Sequence, residues 1–158
     1  MKIELVNGWV PTITDIDFMT CSDEELRFIG RMIPTNLVVV IRGQTLTPER
    51  QLYICNVWGD AQIYSKSATK MRIAKEFMIH DGVARVTGAK NEDGKPGVFG
   101  QKEELDWHAN GVESIKDREN IVFLYAVNGT VGSKTSWLNN SLSYKSLPDD
   151  IRDKVQTL

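Results

Sequence analysis

The stretch Leu37–Glu49, LVVVIRGQTLTPE, decides the fold because it places a β-branched run directly before a helix start. Leu37–Ile41 is apolar on both faces, which is typical of a strand covered on both sides. Thr47 followed by Pro48 is an N-cap with proline at the first helical position. The stretch predicts a strand and then a helix that ends at Gly59.

The segment before this stretch adds a second strand and a second helix. Ile3–Val6 alternates enough for a short strand, and Asn7–Gly8 is a turn sequence. Ser22 opens a capping-box pattern, and apolar residues continue at helical spacing. We therefore predict a helix over about 23–33, which Pro34 ends.

The segment after the stretch is predicted to consist mostly of strands. Its alternating runs and turn residues predict a strand at 83–87, an exposed loop at 91–97, strands at 104–110, 121–127 and 134–138, and a helix that begins near Pro148 and ends near 155. Helices and strands first and a run of strands later indicate an α+β or helix-decorated all-β fold.

Composition and charge exclude several classes of protein. The 158 residues are 41% hydrophobic and 25% charged, which suits one domain spanning 1–158 and argues against disorder. No apolar run approaches the roughly 20 residues that span a bilayer. The formal charge of −2, without a basic stripe, argues against nucleic acid as a partner. Without a secretory signal pattern, the expected location is cytoplasmic, with both cysteines reduced.

His108 is the leading candidate for chemistry, because the chain has two histidines and His80 sits beside a turn sequence. Period-two spacing on a strand would place Asp106, His108 and Asn110 on one face. A non-haem Fe(II) site uses two imidazoles and one carboxylate. Asn110 offers a neutral amide where a carboxylate is wanted, so a structural His–Asn pair is the alternative interpretation.

The chain from residue 36 to 158 resembles the taurine/2,4-D dioxygenase family in the order of its motifs. The matching segments are Val40–Gln44, Leu46–Gln51, Gly97–Gly100, Leu105–His108, Val122–Ala126, Gly132–Trp137 and Ser143–Pro148. Position 108 matches the first histidine of the family, whereas Asn110 stands where the family has its carboxylate ligand. The second histidine of the family and its arginine for 2-oxoglutarate would lie beyond residue 158.

The resemblance implies a partial double-stranded β-helix, or jelly-roll, sheet with flanking amino-terminal helices. It also implies an Fe(II)- and 2-oxoglutarate-dependent dioxygenase that hydroxylates a small organic substrate. His108 and Asn110 would occupy metal-ligand positions, and Thr135 would hydrogen-bond a carboxylate of 2-oxoglutarate. The second half of the family fold is expected to be absent from this chain.

Two other interpretations remain open. A non-catalytic relative would use the same sheet as a binding or structural module, and Asn110 favours it. Alternatively, the chain is a fragment of a longer enzyme.

Overall fold

The computed structural model describes residues 1–61, 78–80, 82–87, 90, 94, 106–109, 121–127, 131–132 and 134–157. The chain divides into two units, Met1–Tyr125 and Ala126–Leu158, and each is described by itself. Of the loop predicted at 91–97, only Gly94 lies among the described residues.

The chain opens with a hairpin. Strands β1 (Lys2–Val6) and β2 (Val10–Thr14) pair antiparallel, with Ile3 opposite Ile13. Asn7 and Gly8 both have positive φ, 54° and 77°, a conformation typical of residues in a tight hairpin turn. The predicted first strand and turn are confirmed, and β2 is an additional strand.

The predicted apolar strand is shorter than its sequence suggests. Only Val40–Ile41 forms β3, which pairs parallel with β2 at Thr12 and Ile13 and gives the sheet order β1-β2-β3. All five residues of the predicted strand keep some solvent exposure. The expected burial on both faces is therefore wrong.

Helix α1 (Asp23–Asn36) begins as predicted and ends later. The Ser22 hydroxyl accepts from the Glu25 N–H, and the Glu25 carboxylate accepts from the Ser22 N–H at 2.9 Å. Pro34 lies inside the helix, so the expected end before it is wrong. Proline removes one intrahelical bond, and the last turn is still closed by the Leu37 N–H on the Ile33 carbonyl at 2.7 Å.

Helix α2 (Pro48–Trp58) confirms both predicted boundaries. Thr47 caps the amino end by accepting from the Arg50 N–H, and the Gly59 N–H closes the carboxyl end on the Cys55 carbonyl.

The core lies between the first sheet and these two helices. Its fully buried side chains are Ile13, Phe18, Leu26, Ile29 and Ile54. Burying a side chain of this kind stabilises a fold by about 1.5–3 kcal/mol. The Trp58 and Phe123 rings pack against this cluster, with ring centroids 5.4 Å apart.

The later part of the chain differs from the prediction. Strands β4 (Met78–His80) and β5 (Val83–Ala84) form a small antiparallel pair, so the strand predicted at 83–87 is formed only at its start. Where described, the segments 104–110, 121–127 and 134–138 form no strand. The second unit contains helices α3 (Asn140–Lys145) and α4 (Asp149–Val155), and α4 confirms the predicted final helix.

The described elements are helices and two small sheets, an α+β arrangement. The jelly-roll sheet stays a prediction. Among the described residues, no helix is long and apolar enough to cross a membrane.

Candidate functional site

His108 lies in the short described segment 106–109, which is a bend followed by irregular backbone. The predicted strand would have placed Asp106 and His108 on one face, but the bend at Trp107 removes that period-two geometry. The ring instead turns back on its own chain, with Nδ1 2.8 Å from the Asp106 carbonyl oxygen. The two residues are thus linked through the backbone of Asp106 and not through its carboxylate.

This contact favours one tautomer of the imidazole. A carbonyl oxygen can only accept, so the hydrogen bond requires the proton on Nδ1. Nε2 then carries the lone pair, and the His108 side chain is exposed. Metal-binding histidines use the same device, in which one ring nitrogen donates to a carbonyl and the other coordinates the ion. His108 is therefore arranged to offer a single ligand atom.

The other two predicted site residues, Asn110 and Thr135, stay predictions. Asn110 lies outside the described residues. Thr135 belongs to the second unit, where it is exposed in a segment without regular secondary structure. Within the described ranges, no group of three or more His, Cys, Asp or Glu side chains could hold a metal ion. The described donor set thus supplies one imidazole of the three protein ligands that Fe(II) uses.

A second feature joins Gln44, in the Arg-Gly-Gln segment, to residues before it. The Gln44 side chain accepts from the Phe18 N–H at 2.8 Å and donates to the Ile16 and Arg42 carbonyls, both at 2.8 Å. One amide therefore ties three backbone groups together. This role explains why glutamine suits this position, since it needs both a donor and an acceptor.

Residues 121–125 complete this assembly from far along the chain. The Tyr125 hydroxyl donates to the Gln44 carbonyl at 3.3 Å and accepts from the Leu46 N–H at 3.2 Å. The Gln51 side chain donates to the Phe123 carbonyl at 3.3 Å. Residues 121–125 thus pack on the start of α2. They form no strand pairing with the other described residues.

Arg50 of α2 organises the chain before α1. Its guanidinium donates to the Phe18 carbonyl at 2.6 Å and to the Cys21 carbonyl at 3.0 Å, and it stacks 4.7 Å from the Tyr53 ring centre. Burial raises the pKa of the Cys21 thiol, and Arg50 partly opposes that effect. A raised thiol pKa suits the reduced, structural cysteine that we expect from the sequence.

His80 has a different environment from the loop position predicted for it. It ends β4 and is partly buried, and its buried Nδ1 has no hydrogen-bond partner among the described residues. The pKa of Glu49 is lowered chiefly by hydrogen bonds from its own backbone N–H and from the Thr47 hydroxyl, and His80 adds only a minor effect. The single orphan nitrogen does not make a site.

An open groove of about 390 Å³ beside the start of α2 was not predicted. It is lined by Asp17, Met19, Gly43, Thr45, Leu46 and Thr47. The Asp17 carboxylate is already used, because it accepts from the Met19 N–H at 2.9 Å and from the Thr20 hydroxyl at 3.1 Å. Gly43 has φ 68° at a bend here, and its glycine is the one feature of the sequence that could have indicated it.

Comparison of the chain with models of protein families, with curated proteins and with solved structures finds no match.

Proposed function

We propose that this chain carries the first metal-binding segment of an Fe(II)- and 2-oxoglutarate-dependent dioxygenase that hydroxylates a small organic substrate in the cytoplasm. The observation that carries the proposal is the His108 ring, whose Nδ1 is engaged by the Asp106 carbonyl while its Nε2 has no partner in the part of the chain that the structure describes. It joins the resemblance of the surrounding motif to the taurine/2,4-D dioxygenase family.

The contact between residues 44 and 125 adds support. Arg42-Gly43-Gln44 and the segment around Tyr125 are two of the pieces on which the resemblance rests. They are 81 residues apart and yet share a hydrogen bond. Two motifs of a single fold would make such a contact, so it agrees with the resemblance.

The chain's residues would have three roles. His108 Nε2 would be the first metal ligand, and the side-chain oxygen at position 110 would be the second. The Thr135 hydroxyl would hydrogen-bond a carboxylate of 2-oxoglutarate. Bound iron would supply the oxidising chemistry, in which 2-oxoglutarate is decarboxylated to succinate as the substrate gains a hydroxyl group from O₂. The neutral amide of Asn110 compensates the charge of a divalent ion less well than a carboxylate.

A second candidate function is a non-catalytic relative that binds a ligand or partner through the same fold. Asn110 is the specific residue that favours it, because the family carboxylate is replaced at that position.

Titration calorimetry with Co(II), a stable substitute for Fe(II), tests the assignment of His108. We expect weak binding to the wild type, with a dissociation constant above the micromolar range. Asn110→Asp should tighten binding at least about tenfold, since loss of an outer-shell partner alone costs ~10–100-fold in metal affinity. His108→Ala should abolish binding in both backgrounds. His80→Ala, which removes the other imidazole, is the matched control and should change nothing.

Succinate release from 2-oxoglutarate with Fe(II) separates the two candidate functions. The wild type should release little or none, because its ligand set is weak. Turnover in Asn110→Asp would support the dioxygenase, and turnover only in a longer chain that adds a second histidine and an arginine would support a fragment of one. Metal binding without turnover in either chain would support the non-catalytic relative. Micromolar binding by the wild type would contradict the weakening effect assigned to Asn110. Identical binding by the wild type, Asn110→Asp and His108→Ala would reject the metal site itself.

A further inference from the structure

The outer edge of β1 is unpaired among the described strands, because β1 is the end strand of the order β1-β2-β3. All five residues of β1 are exposed. An edge strand offers a row of backbone N–H and C=O groups to another strand, and natural proteins usually block such edges. The chemistry of this edge indicates what could pair with it.

The backbone groups of Ile3 and Leu5 point outward from the sheet. The Ile13 carbonyl accepts from the Arg42 N–H at 2.9 Å on the β3 side, so Ile13 turns its polar groups away from Ile3. Pro11, opposite Leu5, has no N–H to give to β1. Ile3 and Leu5 therefore form the non-hydrogen-bonded kind of pair with β2 and direct their own N–H and C=O groups to the free edge.

A two-fold axis relates most paired copies of one chain, and an antiparallel strand pair has this symmetry. With Ile3 and Leu5 donating outward, one allowed register centres on Ile3 and places Lys2 opposite Glu4 of the second copy, twice. The register centred on Glu4 would place two glutamates opposite each other, which destabilises a sheet. The charges therefore favour the register centred on Ile3.

Within one chain Lys2 and Glu4 already attract each other, with Lys2 Nζ 2.5 Å from a Glu4 carboxylate oxygen. Both side chains are more than half exposed, so each can also form an ion pair with a second copy. A lysine on an edge strand usually discourages pairing with another strand. Here Lys2 would lie opposite Glu4 of the second copy, so its charge would favour pairing.

Apolar side chains follow the same symmetry. The register centred on Ile3 pairs Ile3 with itself and Met1 with Leu5 of the second copy, all on the sheet face that carries Ile13. These side chains are 39%, 49% and 60% exposed in the order Ile3, Met1, Leu5. Pairing would extend the apolar face of the sheet across the axis and cover them.

We propose that the outer edge of β1 binds a second copy of this chain, antiparallel and centred on Ile3, to form a six-stranded sheet across a two-fold axis. The contact is a short ladder and falls in the size class of weak, transient interfaces. We expect a dissociation constant on the order of 100 µM, so that the dimer appears only at high protein concentration.

Sedimentation equilibrium of the full chain over a wide concentration range tests the proposal through its charges. Lys2→Glu and Glu4→Lys should each weaken the dimer by about tenfold, because two attractive cross-strand pairs become repulsive. The double swap, Lys2→Glu with Glu4→Lys, should restore dimerisation to within about threefold. Lys134→Glu, an exposed reversal outside β1, should have no effect.

Hydrogen exchange and a backbone variant test the register. The Ile3 and Leu5 amides should become protected as concentration rises, whereas the Glu4 amide should not change. Ile3→Pro removes an outward donor and should abolish the dimer while thermal unfolding shows that the chain still folds. A monomer at every concentration, a double swap no better than the single reversals, or a dimer that survives Ile3→Pro in a folded chain would overturn the proposal.

Discussion

At residue 30 the lack of a side chain lets α1 and α2 meet. A Cβ built on Gly30 would lie 2.6 Å from Cδ1 and 3.0 Å from Nε1 of the Trp58 ring. That ring cannot easily give way. Its N–H donates to the Leu26 carbonyl at 2.7 Å, and it packs against Phe18 and Phe123.

We predict that Gly30→Ala destabilises the chain by roughly 1–2 kcal/mol, measured by urea unfolding. Overpacking a core costs typically ~1–3 kcal/mol, and the helix propensity gained by replacing glycine returns at most about 1 kcal/mol. Trp58→Phe frees space at the same contact. In that background Gly30→Ala should cost less, and additive effects of the two changes would contradict the proposed clash.

The candidate site shows what single residues reveal in advance. His108 was identified because histidine is rare in this chain and chemically versatile. The hydrogen bond to the Asp106 carbonyl was not foreseen, because a period-two strand pattern says nothing of a bend. Large aromatic side chains usually contribute buried area, yet Trp107 and Trp137 are 70% and 53% exposed. The size of an aromatic side chain indicates how much area it could bury. It does not indicate whether the residue lies in the core or on the surface.

At the scale of elements, α1 depends on its first turn. Hydrogen bonds from the Ser22 backbone N–H and then from its hydroxyl lower the pKa of Glu25 below its ordinary value of 4.5. A carboxylate with a lowered pKa stabilises the folded chain above the pKa it has when unfolded, and this contribution is lost as the pH falls through the folded pKa.

We predict that Ser22→Ala lowers the free energy of unfolding by about 1 kcal/mol at pH 7. Glu25→Gln should also destabilise the chain at pH 7, and the difference from wild type should shrink as the pH falls below 4.5. Chemical denaturation across pH 3–7 provides the measurement. Glu24→Gln removes a charge from the same turn and is the control. An equal pH dependence for Glu24→Gln would show that general charge, not the capping box, is responsible.

Local signals fixed the helix starts better than their ends. Ser22 and Thr47 cap through bonds between neighbours in sequence, so their effect is visible without tertiary structure. Pro34 was expected to end α1, but a helix loses only one bond to an interior proline and can continue for a turn. Strand β2 escaped detection because Pro11 argues against a central strand. Proline is tolerated here because Pro11 forms a non-hydrogen-bonded pair with Leu5, so β1 needs no N–H from it.

At the scale of the molecule, distant segments hold the first unit together. Residues 121–125 alternate between partly buried and exposed side chains, as the strand prediction required. The partners of this segment are the Gln44 carbonyl and the Leu46 N–H, and not a neighbouring strand in the described part of the chain. Periodicity predicted the buried face, but a pairing partner is a long-range property that no local pattern contains.

We predict that Tyr125→Phe destabilises the first unit by about 1 kcal/mol, because it leaves two partly buried backbone groups without their bond. The exchange rate of the Leu46 amide should rise roughly fivefold if the opening involves this contact. Tyr144→Phe removes a hydroxyl from the second unit and should leave Leu46 unchanged. An unaltered Leu46 exchange rate in Tyr125→Phe would show that the segment contributes little to holding the turn.

The contact of Phe123 with Trp58 also has a consequence for synthesis. A ribosome adds about 5–20 residues per second, so roughly 3–13 s pass between the making of Trp58 and that of Phe123. During that interval the indole ring has α1 on one side and no Phe123 on the other. The nascent chain therefore exposes part of the Trp58 ring until residues 121–125 have been synthesised. We expect chaperones that recognise exposed apolar surface to bind the first unit during this interval.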